Sequence, residues 1–149
     1  MGEVFAGHYE LIDLVGLGSM GAVWRAWDRR QQTYVAAKLL RQSDAPGLLK
    51  FIREESAALE GRSGHLLVPK AWAGADDQVL ISTDLVRGGS VAALLVDHGP
   101  IAVPWVTALV DQVLDALDAL HAATGLIHRA IRPAKLLLEP TGRERPYVW

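Results

Sequence analysis

Hydrophobic and polar positions alternate like strands over the first forty residues. Tyr9 to Val15 is rich in bulky and β-branched side chains and stops at Gly16. Ala22 to Trp27 (AVWRAW) continues in the same style. A polar turn follows at Asp28-Arg29-Arg30-Gln31-Gln32, and Tyr34 to Leu40 (YVAAKLL) predicts a third strand. Strands joined through a glycine cluster and then a short turn predict an antiparallel meander rather than a βαβ unit. Ser43-Asp44-Ala45-Pro46 reads as a helix entry with proline in the first turn. Leu48, Phe51, Ile52, Glu55 and Leu59 then fall at helical spacing, and Gly61 and Gly64 end the run. Val68 to Ala73 and Gln78 to Leu85 predict two more strands, turned by Gly74-Ala75-Asp76-Asp77. Gly88-Gly89-Ser90 breaks the chain, with Ser90 placed to cap a short helix from Val91 to Val96. Pro104 opens the longest helix, which runs to Ala123 and stops at Gly125. Beyond it lie an apolar run at Leu136-Leu137-Leu138, a turn at Thr141-Gly142 and a last run, Tyr147-Val148-Trp149.

Composition narrows the class. A chain of 149 residues sets a prior of one domain, and a hydrophobic fraction of 50% is too apolar for disorder. Fifteen Lys+Arg against 17 Asp+Glu give a net charge of -2, so no basic excess argues for nucleic acid. With no cysteine, disulfides, thiolate catalysis and Cys-type zinc sites are excluded. The longest stretch without an acidic or basic residue, between Asp97 and Asp111, is short of the roughly 18 apolar residues that cross a bilayer. The start, MGEVFAGHYE, lacks the basic and apolar segments of a signal peptide, and Ala6 stands where myristoylation wants Ser or Thr. The expectation is a globular cytoplasmic protein without a membrane anchor.

Gly16-Leu17-Gly18-Ser19-Met20-Gly21 is a G-x-G-x-x-G. Alone it is a weak signal, and its context decides the reading. A dinucleotide fingerprint opens a helix after its third glycine, whereas Gly21 leads into the strand-like AVWRAW. No G-x-x-x-x-G-K-[ST] is present either. What survives is a strand, a glycine loop and a strand whose backbone amides cover phosphates. Val23 extends the motif to G-x-G-x-x-G-x-V, and Val35-Ala36-Ala37-Lys38 follows as V-A-x-K on the next strand.

These two motifs, in order, resemble the N-lobe of a protein kinase, most like the bacterial serine/threonine kinases of eukaryotic-like type. The likeness continues through Leu80 to Val86 as fifth strand and hinge, with Thr83 at the gatekeeper position. It extends through Gly88-Gly89-Ser90-Val91 after the hinge, Val106 to His121 as the long C-lobe helix, and Leu126-Ile127-His128-Arg129 into the catalytic loop. The resemblance implies an α+β kinase-like fold: residues 1–86 as an antiparallel N-lobe sheet with one packed helix, and 87–149 as the start of a helical C-lobe. It implies that Lys38 holds the α- and β-phosphates under the Gly16, Gly18 and Gly21 loop. Val15, Val23 and Ala36 would cover the adenine, with Leu137 below it. The main chain of Asp84 and Val86 would meet the adenine edge, with Ser90 near the ribose. The carboxylate partner of Lys38 is open: the face shared with Leu48, Ile52 and Leu59 favours Glu55, and counting forward from Phe51 favours Glu54.

The catalytic loop departs from the family. Its H-R-D-L-x-x-x-N puts a proton-accepting Asp third and a magnesium-holding Asn at the end. Here the chain reads His128-Arg129-Ala130-Ile131-Arg132-Pro133-Ala134-Lys135, so Ala130 occupies the base position and Lys135 the metal-ligand position. The resemblance places the D-F-G, with the second metal ligand, beyond Trp149. The expectation is a pseudokinase-like domain that binds ATP or another adenine nucleotide without requiring magnesium, holds no metal, lacks catalytic residues, and acts in regulation or scaffolding. The alternatives are the N-terminal part of an active serine/threonine kinase, which Ala130 and Lys135 oppose, and a nucleotide-independent interaction module, which Lys38 and the glycines oppose. His128 is read as a packing residue, and the row Asp111, Asp115, Asp118 as a solvated helix face rather than a metal site. The wide apolar arc of helix 104–123, with Leu109, Val110, Val113, Leu114, Leu117 and Leu120, predicts a homodimer or a protein partner packed on it.

Overall fold

A computed structural model describes residues 2–18, 21–139 and 146–148. The chain forms two compact units that interleave in sequence: Met1–Ala57 with Pro69–Leu85, and Ala58–Val68 with Val86–Trp149.

The first unit is built on an antiparallel sheet. Its strands are β1 (Val4–Phe5), β2 (Tyr9–Gly18), β3 (Gly21–Asp28), β4 (Thr33–Arg41), β5 (Ala71–Ala75) and β6 (Gln78–Asp84), in the order β1-β2-β3-β4-β6-β5. Two cores lie on its two faces, because successive side chains on a strand point to opposite sides. Along β4, Val35 and Ala37 join Phe5, Tyr9, Leu11, Ala26 and Leu80 in one cluster. Leu40, on the other face, packs with Ala45, Ile52, Val79 and Ile81. That second face is covered by α1 (Pro46–Glu54), whose Leu48, Leu49 and Phe51 flank the cluster. The turn after β3 explains a buried acid: the Asp28 carboxylate accepts from the amides of Arg30 at 2.9 Å and Gln31 at 3.2 Å.

Three expectations need correction here. The helix over Leu48 to Leu59 is not continuous: α1 ends at Glu54, Glu55 is its cap with φ -116°, and a separate turn of helix, α2 (Ser56–Leu59), follows. The Ser56 hydroxyl donates to the Ile52 carbonyl, the kind of local side-chain bond that competes with helix continuation. The strand expected at Val68 to Ala73 is β5, Ala71–Ala75, instead. Pro69 has no amide to give, and pairing to Ser82 begins at the Lys70 amide. Gly74 and Ala75 therefore lie in the ladder, and the turn shrinks to Asp76-Asp77, with Asp76 left-handed at φ 52°. The short β1 had no expectation attached.

In the second unit, α3 (Val91–His98) is capped by Ser90, whose hydroxyl oxygen accepts from the Ala93 amide at 3.1 Å. The long α4 (Val103–Thr124) carries proline in its first turn and ends at a left-handed Gly125, whose amide donates to the His121 carbonyl at 2.7 Å. Val113 and Ala116 form its packed face with Leu66, Leu117 and Leu136. Strands β7 (Leu136–Leu138) and β8 (Pro146–Val148) pair antiparallel, while the turn expected at Thr141-Gly142 lies outside the described residues. Gly88 is fixed by close approach: its amide donates to the Leu138 carbonyl at 2.8 Å, and a Cβ there would sit 2.1 Å from that oxygen. Among the described residues no helix is long and apolar enough to cross a membrane.

Candidate functional site

The glycine hairpin lies at the open end of β2 and β3. Gly16 pairs with Val23, Leu17 with Ala22 and Gly18 with Gly21, whereas Ser19 and Met20 lie outside the described residues. A register shift between Leu14 and Gly16 leaves Val15 unpaired on a bulge, where it is 58% exposed. Gly21 has φ 138°, and any Cβ there would meet the Leu39 carbonyl oxygen at 2.1 Å, so the fold itself demands glycine. Gly16 is different. A Cβ would meet nothing within 4 Å, so packing within the chain does not explain this glycine.

Lys38 stands on β4 between Val23 of β3 and Ile81 of β6, and Ala36 between Arg25 and Thr83. Alternation puts Val23, Ala36, Lys38, Ile81 and Thr83 on one face of the sheet. Lys38 is half-buried there, and Thr83 is fully buried. The face thus presents Lys38 beside small apolar groups, with the glycine hairpin at its edge, while Arg25 on the same face is paired with Asp13 at 2.6 Å. That arrangement suits a flat aromatic ring attached to phosphates. The structure brings Val15, Gly16, Gly18, Gly21, Val23, Ala36, Lys38 and Thr83 together on connected strands.

The two glutamates differ in setting. Glu54 is exposed and lies 3.9 Å from Lys50, an i,i+4 ion pair. Glu55 is half-buried, and its amide donates to the Phe51 carbonyl at 2.8 Å. The continuous face that favoured Glu55 through Leu59 is broken at the cap, so only Leu48 and Ile52 remain with it on the α1 side. Asp84 sends its side chain outward to Lys70, 2.6 Å away with both groups exposed. This pair gave no sequence signal.

In the second unit, Ser90 and Leu137 meet as an isolated antiparallel bridge, and Val86 begins the segment that leads to them. The Ser90 oxygen already serves as the α3 cap, with its own proton still to donate. The catalytic-loop segment is exposed at Arg129 and Ala130. Arg129 has φ 63°, a left-handed conformation for a non-glycine residue, and His128 Nδ1 accepts from the Ala130 amide at 3.3 Å. Lys135 closes a 3₁₀ turn over Pro133–Lys135. Magnesium takes oxygen ligands in near-octahedral geometry, and this loop does not fit it: Ala130 has no donor and Lys135 brings an ammonium. Among the described residues no cluster of three or more His, Asp or Glu is arranged to hold a metal.

Comparison with known proteins agrees with this architecture. The protein kinase domain family matches residues 9–145. Serine/threonine-protein kinase PknE of Mycobacterium tuberculosis is 36% identical over 135 residues, which cover 89% of this chain and 24% of that protein. PknD of the same species is 32% identical over 135 residues, 89% of this chain and 20% of PknD. PkaA of Streptomyces coelicolor is 31% identical over 152 residues, 91% of this chain and 27% of PkaA. The chain belongs to the protein kinase domain family and has its α+β fold. It spans about a quarter of the length of these relatives.

Proposed function

We propose that this chain is a pseudokinase-like domain: it binds an adenine nucleotide through the Lys38 face, does not transfer phosphate, and acts in regulation or scaffolding. The observation that carries the reading is a split. The glycine hairpin, Ala36 and Lys38 are retained on one connected face, while the loop that should hold base and metal has Ala130 and Lys135. Losing a general base alone typically costs about 10²–10⁴ in rate. Losing metal ligands as well removes much of the charge stabilisation on which phosphoryl transfer depends. In this reading Lys38 holds phosphate oxygens, with Glu55 or Glu54 as its carboxylate partner. Val15, Val23 and Ala36 cover the base, and Thr83 and Asp84 form the hinge side. Lys135 neutralises phosphate charge in place of a metal ion, so magnesium is not required.

The relatives' names favour a second reading, the N-terminal part of an active serine/threonine kinase. Radiolabelled ATP with a basic protein acceptor separates the two. The expected outcome is no incorporation above background; clear incorporation establishes the second reading.

Self-association through α4 belongs to the same proposal. Val103, Val110 and Leu114 are 77%, 50% and 58% exposed, and their spacing puts them on one face of the helix. Burying each such side chain is worth about 1.5–3 kcal/mol, enough in sum to favour pairing at micromolar concentration. A second copy offers the same apolar face. Light scattering after size-exclusion chromatography should give a dimer mass, and Leu114→Glu should return it to 16.2 kDa. A wild-type chain that stays at 16.2 kDa at high concentration contradicts this contact.

A further inference from the structure

We infer that the second unit carries a separate ligand site, a cavity between α3 and α4 that takes a small neutral aromatic molecule bearing one hydrogen-bond donor. The inference is independent of the nucleotide reading, because neither the glycine hairpin nor Lys38 takes part. The cavity has a volume of about 370 Å³ and lies entirely among residues of that unit. Its walls come from Leu94 of α3, Ile101 in the following loop, Trp105 and Leu109 of α4, and Leu138 of β7. Each belongs to a different turn or element, so the space is a product of packing rather than of any one motif.

Size and lining set the ligand class. Ligand pockets typically begin near 300 Å³, and a mostly apolar lining with a few placed polar groups is their usual composition. The polar side chains on the lining are His98, Gln112 and Glu139, and Gln112 is the one with a buried atom, Oε1, that has no hydrogen-bond partner among the described residues. Buried acceptors left unpaired are unfavourable, which gives a donor-bearing ligand an advantage over a purely apolar one. Charge narrows the class further: the Glu139 carboxylate also lines the space and opposes an anion. The aliphatic walls and the Trp105 ring favour an aromatic body. A bicyclic ring with one N–H meets all of these conditions, and indole is the simplest probe.

The test uses the 149-residue chain and compares indole with benzothiophene, which has nearly the same shape but sulfur in place of the N–H. Saturation-transfer NMR titrations should show saturable binding of indole and about five- to tenfold weaker binding of benzothiophene, the loss of one net hydrogen bond. Gln112→Met keeps the volume and removes the acceptor, and should make the two probes bind alike. Leu109→Trp fills the cavity and should abolish both; if that variant fails to fold, the Gln112→Met comparison decides. Indole that does not saturate, or benzothiophene that binds the wild-type chain as well as indole does, overturns the proposal. So does a preference for an acceptor-bearing probe such as benzofuran, which would mean that the Gln112 amide presents its NH₂ to the cavity.

Discussion

Lys38→Met should raise the dissociation constant for ATP by about 10- to 150-fold, the loss of a charge-assisted contact worth about 1.5–3 kcal/mol. The expectation follows from where the residue stands. Lys38 is half-buried on the face shared with Val23, Ala36 and Ile81, so its ammonium is partly shielded from water and would act on a bound phosphate at reduced screening. Methionine keeps the length and apolar stem, so the sheet should hold. Lys70→Met is the matched control. Its ion pair with Asp84 is exposed on both sides and contributes about 0–1 kcal/mol, so nucleotide affinity should not change. Fluorescence titration with a labelled adenine nucleotide, alongside a melting curve for each variant, checks both outcomes. Equal affinities in wild type and Lys38→Met would remove the Lys38 face from the account.

The second large effect concerns the cation. Lys135→Asn exchanges an ammonium for an amide oxygen at the position where the family motif has its metal-holding Asn. The wild-type chain should bind ATP almost equally in magnesium and in EDTA. The variant should lose about tenfold or more in EDTA, because phosphate charge is then left without its fixed counter-charge, and should recover part of that loss when magnesium is supplied. A wild-type chain with strict magnesium dependence would assign Lys135 no such role.

Much of this fold was legible because its strands obey simple alternation. β2, β3, β4 and β6 were each predicted within a few residues, since Tyr9, Leu11, Ala26, Val35, Ala37 and Leu80 alternate with residues of the opposite face. Both long-helix signals, Pro104 and Gly125, act through backbone chemistry local to the helix ends, and α4 begins and stops beside them. The errors arise where a non-local partner overrides the local pattern. Leu59 has helical spacing from Ile52 and Glu55, yet it packs in the second unit, so the periodicity ran across a break. Val68 and Pro69 look like strand, but the ladder to β6 is set by Ser82 and begins only at Lys70.

The site divides in the same way. Glycine spacing and V-A-x-K were visible because both motifs are short and lie on adjacent strands. The cavity at Gln112 was not, since Leu94, Ile101, Trp105 and Leu138 share no period in the sequence and are brought together only by packing. The left-handed Arg129 was hidden as well, because arginine gives no local signal for a positive φ.

The central claim is that this kinase-family chain keeps nucleotide binding while its catalytic loop has lost the chemistry. An equilibrium titration of ATP into the unmodified chain, by calorimetry in EDTA and again in magnesium, tests it most directly. The account predicts saturable binding of similar affinity in both buffers. No heat of binding in either buffer would contradict it.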